Sequence, residues 1–108
     1  MSRARTLQSD SAAISCTFDT GPYEWVMFTC NGLGAAETVD VKIQDGASSY
    51  QVLRQLDGTA VVFTGSGGSP ANVSQFTMDG GPVVQFTGSD PAGTVSITAY
   101  PGPGVNPG

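Results

Sequence analysis

Fifteen glycines and seven prolines cut the 108 residues into short segments. Both residue types interrupt regular structure, so the pieces between them are suited to strands more than to long helices. Valine far outnumbers leucine and threonine is frequent, a bias toward pleated surfaces because β-branched side chains pack well there. The clearest piece is 37–45, where Val39, Val41 and Ile43 alternate with Asp40, Lys42 and Gln44. A period of two places the apolar set on one face of a half-buried strand. The same alternation recurs at 12–19 (Ile14, Cys16, Phe18), at 73–78 (Phe76, Met78) and at 94–100 (Val95, Ile97, Ala99). The stretch 24–30 is apolar nearly throughout, which is compatible with cover on both faces, and Trp25 within it is expected in the core.

The turn residues complete the pattern. Asp45-Gly46 closes the first strand, Asp57-Gly58 separates 50–56 from 59–64, Asp79-Gly80-Gly81 separates 73–78 from 82–87, and Asp90-Pro91-Ala92-Gly93 precedes 94–100. Asp-Gly suits tight hairpins, which need positive φ at their central positions, so at least two antiparallel hairpins are expected toward the C-terminus. The segment 48–57 is ambiguous: Tyr50, Leu53 and Leu56 have helical spacing, but a helix there would have barely two turns, and strand is preferred. The flexible 66–70 stretch is expected to connect two sheets. The whole reads as all-β: one small antiparallel β-sandwich of about eight short strands, comprising a flexible arm at 1–10, a sandwich domain at 11–100 and a Pro/Gly-rich tail at 101–108.

Composition bounds the chemistry. Net charge is −5, which disfavours nucleic acid as a partner because phosphate neutralisation needs a basic surface. No run of about 18 apolar residues is present to cross a membrane as a helix. Histidine is absent, which removes the commonest general base together with the Ser-His-Asp and Cys-His arrangements. Cys16 and Cys30 have no metal-knuckle spacing and are expected as buried thiols, since no secretory leader pattern follows Met1 and a chain folded in a cytoplasm keeps its thiols reduced. Asp40, Asp45 and Asp57 fit turn chemistry better than a calcium loop, and 65–69 lacks the lysine of a phosphate-binding loop. No catalytic, cofactor or metal residue is therefore expected, and the chain is not expected to be an enzyme. Candidate partner contacts are Arg3 and Arg5 in the N-terminal arm, able to order on an acidic surface, and Tyr23 and Tyr100 at strand ends, where rings with a polar tip can anchor an interface.

Four blocks, Trp25-Val-x-Phe-x-Cys-Asn-Gly-Leu-Gly, Glu37-Thr-Val-Asp-Val-Lys-Ile, Leu56-Asp-Gly-Thr-Ala-Val-Val-Phe-Thr64 and Gly93-Thr-Val-Ser-Ile-Thr98, follow one another with the strand-and-turn cadence of small tailed-bacteriophage virion proteins. The chain resembles that group over 21–100. The resemblance implies a jelly-roll or Ig-like sandwich and a head-decoration (cement) role on the capsid surface, bound to the major capsid protein after synthesis in the bacterial host cytoplasm. It implies no catalytic residue. A glycan- or receptor-binding module and a tail or neck assembly module are the competing readings. Few lysines or prolines blunt the strand edges, so self-association is expected, with a trimer around a capsid symmetry axis as its form.

Overall fold

The computed structural model describes residues 4–34, 37–44, 50–54, 58, 60–65 and 75–102. Nine strands run in the order β1 (Arg5–Asp10), β2 (Ile14–Asp19), β3 (Trp25–Asn31), β4 (Thr38–Gln44), β5 (Tyr50–Val52), β6 (Val62–Thr64), β7 (Gln75–Asp79), β8 (Val83–Gly88) and β9 (Val95–Pro101). They form two antiparallel sheets. The first has the order β1-β9-β3-β7; the second has the order β2-β8-β4-β5, with β6 sharing the β5 side of β4. Apart from β4 and β5, each strand is followed by one in the opposite sheet. That is jelly-roll connectivity, with the last position of the second sheet divided between β5 and β6.

The alternation read from sequence sets the burial. Val39 and Val41 on β4, Val84 and Phe86 on β8, and Ile14 and Phe18 on β2 point inward from the second sheet. Val26, Phe28 and Cys30 on β3, with Val95, Ile97 and Ala99 on β9, face them from the first. Phenylalanines bind the two layers. Phe28 stands edge-on to Phe18 at 5.8 Å and to Phe86 at 5.1 Å between ring centroids, and Phe63 of the second sheet meets Phe76 of the first at 5.5 Å. Contacts of this kind add to the area term of burial.

Three expectations are corrected. The Asp79-Gly80-Gly81 and Asp90-to-Gly93 turns do not close hairpins: β7 and β9 lie in the first sheet while β8 lies in the second, so both turns are crossovers. Their chemistry describes a local bend and carries no information about which sheet the next strand joins. Trp25 is not core. It is 40% exposed, because Val26, Phe28 and Cys30 take the inward face of β3 and leave Trp25, Met27 and Thr29 on the other. The expected free arm at 1–10 contains a strand, since Arg5–Asp10 pairs with β9 as an edge strand with a register shift between Thr6 and Gln8. Backbone pairing holds this polar segment, and Leu7 packs against the core.

Within 48–57 the described part is strand, β5, followed by a bridge between Arg54 and Ala60 across Gly58, whose φ is +90°. The Asp45-Gly46 turn, Asp57 and the 66–70 connection lie outside the described residues. The strands flanking 66–70, β6 and β7, belong to opposite sheets.

A buried threonine fastens one corner. Thr20 is fully buried; its hydroxyl donates to the Pro82 carbonyl at 2.5 Å and accepts from the Gly81 N–H at 2.9 Å. The β2–β3 turn is thereby tied to the β7–β8 crossover. Replacing Thr20 with Val takes the acceptor from the Gly81 N–H and leaves the Pro82 carbonyl only its bond from the Thr20 N–H at 3.2 Å. It is expected to cost about 1–3 kcal/mol in urea unfolding, while Thr20→Ser retains most of the stability.

Candidate contact surface

Pairing register fixes what lies on the outer face of the first sheet. Met27 on β3 lies opposite Tyr100 on β9 and Thr77 on β7. The next row runs Gln75, Thr29, Thr98 and Thr6 across all four strands. A further row brings Asn31, Ser96 and Ser9 together, with the two serine hydroxyls 2.9 Å apart. Trp25 lies opposite Asp79 and diagonally from Tyr100. Among the described outward-facing residues of this sheet, Asp79 supplies the carboxylate and no lysine or arginine is present. The outer face of the second sheet differs, carrying Asp40 and Lys42 beside Thr87 and Gln85.

The result is a hydroxyl-rich, nearly charge-free surface with an aromatic end on a protein whose net charge is −5. Away from Asp79 at its aromatic end, such a surface sheds water at lower cost than a charged one, because no other described side chain on it carries an ionised group to be desolvated. Two of the three exposed rings among the described residues belong to the first sheet's outer side, Trp25 at 40% and Tyr100 at 36% exposure; the third, Tyr50 at 37%, is on β5 of the second sheet. Gly102 lies so close to the Trp25 indole that a Cβ there would meet ring atoms at 2.2 Å, and its N–H donates to the Trp25 carbonyl at 2.7 Å. The tryptophan is thus held in place from its own backbone.

Of the residues singled out in the sequence, Tyr100 is on this surface. Arg5 is exposed at the start of β1, at the rim of the same sheet. Tyr23 is elsewhere: half-buried, it stacks on Phe18 at 5.9 Å and 14°, closing one end of the core. Arg3 lies outside the described residues. Trp25 is the exposed ring on this surface that sequence reasoning placed in the core; the usable signal was that Thr29 and Asn31 share its parity on β3.

A concavity of about 220 Å³ lies between the start of β4 and the end of β8, and includes Glu37, Asp40 and Asp90. Glu37 has a structural task there. Its carboxylate accepts from the Gly34 N–H at 2.6 Å and the Ala92 N–H at 2.7 Å, joining the loop before β4 to the loop before β9. Those two bonds favour the charged form and hold its pKa below the usual carboxylate value of 4.5. A lowered folded-state pKa means stability present above the unfolded value and lost as pH falls through the folded one. Acid titration of unfolding should therefore show a loss below about pH 4.5 that is diminished in Glu37→Gln.

Burial pushes the Cys16 thiol up to about 11; burial, with Cys16 nearby, pushes Cys30 up to about 12. Both are free thiols, and at neutral pH they are protonated and poor nucleophiles. Among the described residues no group of three or more His, Cys, Asp or Glu could hold a metal ion.

No family model matches the sequence, and no curated protein matches it. The fold does have a solved counterpart. The structure is similar to the crystal structure of SPBc2 prophage-derived protein YomS, with a TM-score of 0.66 over 94% of this chain and 92% of that one, at 12% identity. The two share an all-β sandwich fold along nearly their whole lengths.

Proposed function

We propose that this chain is a phage virion protein that decorates the capsid, binding the major capsid protein on the outer surface of the head after synthesis in the host cytoplasm. The observation that carries the reading is the near full-length fold likeness to a prophage-derived protein. The outer face of the first sheet supplies a means of attachment. A wide, nearly uncharged sheet face can lie across the joint between two capsid subunits and add buried area there. Arg5, exposed at its rim, gives a cation that can meet an acidic capsid surface. The chemistry is adhesive and not catalytic, in keeping with a chain that lacks histidine.

The test uses virions of the phage that encodes the chain. Labelling with a specific antibody should mark heads at many copies per particle, and Thr29→Arg, in the middle of the hydroxyl-rich face, should lower occupancy at least about tenfold with an unchanged β-sheet spectrum. Virions without the protein, or occupancy unaffected by Thr29→Arg, overturn the reading; label confined to tails moves it to the tail or neck.

A second reading, glycan or receptor binding, draws on the exposed Trp25 and Tyr100, since amphipathic rings stack on sugars. A glycan array with Trp25→Ala separates the two: saccharide binding lost in that variant favours the module reading.

A further inference from the structure

We infer that β7 is a self-recognition edge, across which a second copy of this chain adds antiparallel about a two-fold axis at Thr77. Among the described residues, no strand pairs with the outer side of β7. Backbone parity shows which groups that side presents. The Gly102 N–H reaches the Trp25 carbonyl on the β9 side of β3, and the Gly80 N–H reaches the Glu24 carbonyl on the β7 side. Alternation along antiparallel pairs then directs the N–H and C=O groups of Phe76 and Met78 toward β3. Those of Gln75, Thr77 and Asp79 face away from the sheet.

The five residues of β7 are complementary to themselves about their centre. A two-fold at Thr77 sets Thr77 against Thr77, Gln75 against Asp79 and Phe76 against Met78. The hydrogen-bonding groups meet in register, because Gln75, Thr77 and Asp79 are the positions that face outward. On the solvent side each Asp79 carboxylate meets a Gln75 amide, a donor, and no carboxylate meets another. On the core side the partly buried Phe76 and Met78 meet as an aromatic–thioether pair, which continues the core across the joint. The uncharged face of the first sheet would then extend without interruption over two copies.

The other edges fit this less well. β1 has a register shift and begins at Arg5. The outward Ser15 N–H of β2 donates to the Gln8 side chain at 3.0 Å. The β5/β6 edge is divided into two three-residue strands. The self-complementarity of β7 is isologous, so it specifies a dimer in place of the trimer expected from sequence. The inference stands apart from the capsid reading and is tested on the free protein.

A five-residue edge is a small interface, so the dimer should be weak in solution and gain from arraying on a larger surface. Sedimentation equilibrium of the full chain should show a monomer–dimer equilibrium below about 1 mM. Thr77→Pro removes the central outward N–H while leaving the β3 ladder, as edge strands permit, and should raise Kd at least about tenfold. The charge pair keeps the test sound should that variant misfold. Gln75→Asp sets carboxylate against carboxylate and should raise Kd about threefold or more, whereas Gln75→Lys should lower it by a similar factor. Thr77→Cys should form a disulfide dimer on mild oxidation, faster than Ser9→Cys on β1, because facing Cα atoms in such a pair lie about 5.5 Å apart. A strictly monomeric protein, a dimer indifferent to both Gln75 variants, or cross-linking no faster at 77 than at 9 overturns the inference.

Discussion

Phe28→Ala is expected to destabilise the protein by about 3–5 kcal/mol, in the range for a large aromatic removed from a close-packed core. The side chain is fully buried, and its ring contacts Phe18 and Phe86 from the opposite sheet and Phe76 from its own. Few positions join so many elements, so its loss removes transfer free energy and leaves a void that surrounding rings can fill only by tilting away from one another. A domain of this size has about 5–15 kcal/mol in total, so the variant should sit near its folding threshold. The midpoint of thermal unfolding should fall by about 15–30 °C. Trp25→Ala is the informative comparison. Tryptophan is the larger residue, but at 40% exposure it should cost much less than Phe28→Ala, and an equal loss would mean that the parity of β3 is reversed.

Gly80→Ala is expected to cost at least about 3 kcal/mol, at the upper end of the overpacking range. At this crossover, where the chain leaves β7 in one sheet for β8 in the other, a Cβ on residue 80 would stand 1.7 Å from the Tyr23 carbonyl oxygen and 2.7 Å from that of Thr20. Both obstacles are backbone, so no side-chain rotation can relieve the clash. The Gly80 N–H is also bound to the Glu24 carbonyl at 3.0 Å, which prevents the chain from simply moving outward. Gly93→Ala is the control: open space surrounds it, so reduced freedom of the unfolded chain should leave stability unchanged or raised by up to about 1 kcal/mol. Urea unfolding of the two variants side by side checks the ordering, and comparable losses would refute the steric account.

Much of the sandwich was legible from residues. The faces of β4 and β9 follow directly from Val39-Val41-Ile43 and Val95-Ile97-Ala99, because alternation in hydropathy is itself the geometry of a pleated strand. The Asp-Gly and Gly-Gly punctuation marked where the chain bends. It could not reveal that the bends after β7 and β8 pass between sheets, since that depends on β7 pairing with β3 and β8 pairing with β2 and β4. For β3 the hydropathy was too uniform to fix parity by itself. Polar Arg5–Asp10 offered no apolar stripe, and its strand exists through backbone bonds to β9.

The contact surface was legible only in fragments. Tyr100 was singled out from its strand-end position, but Tyr23 looked equivalent and is turned against Phe18. The row of Gln75, Thr29, Thr98 and Thr6 joins four strands remote in sequence, and no local window contains it.

What the sequence determined by itself was local: strand periodicity, turn positions, an acidic and histidine-free inventory, and thiols without metal-ligand spacing. These follow from short-range steric and solvation preferences of neighbouring residues. The tertiary structure alone decided which strands became partners, which side of β3 met the core, and that uncharged side chains assembled into one face. Those outcomes depend on contacts between residues far apart in the chain, whose free energy appears only when both sheets are packed together.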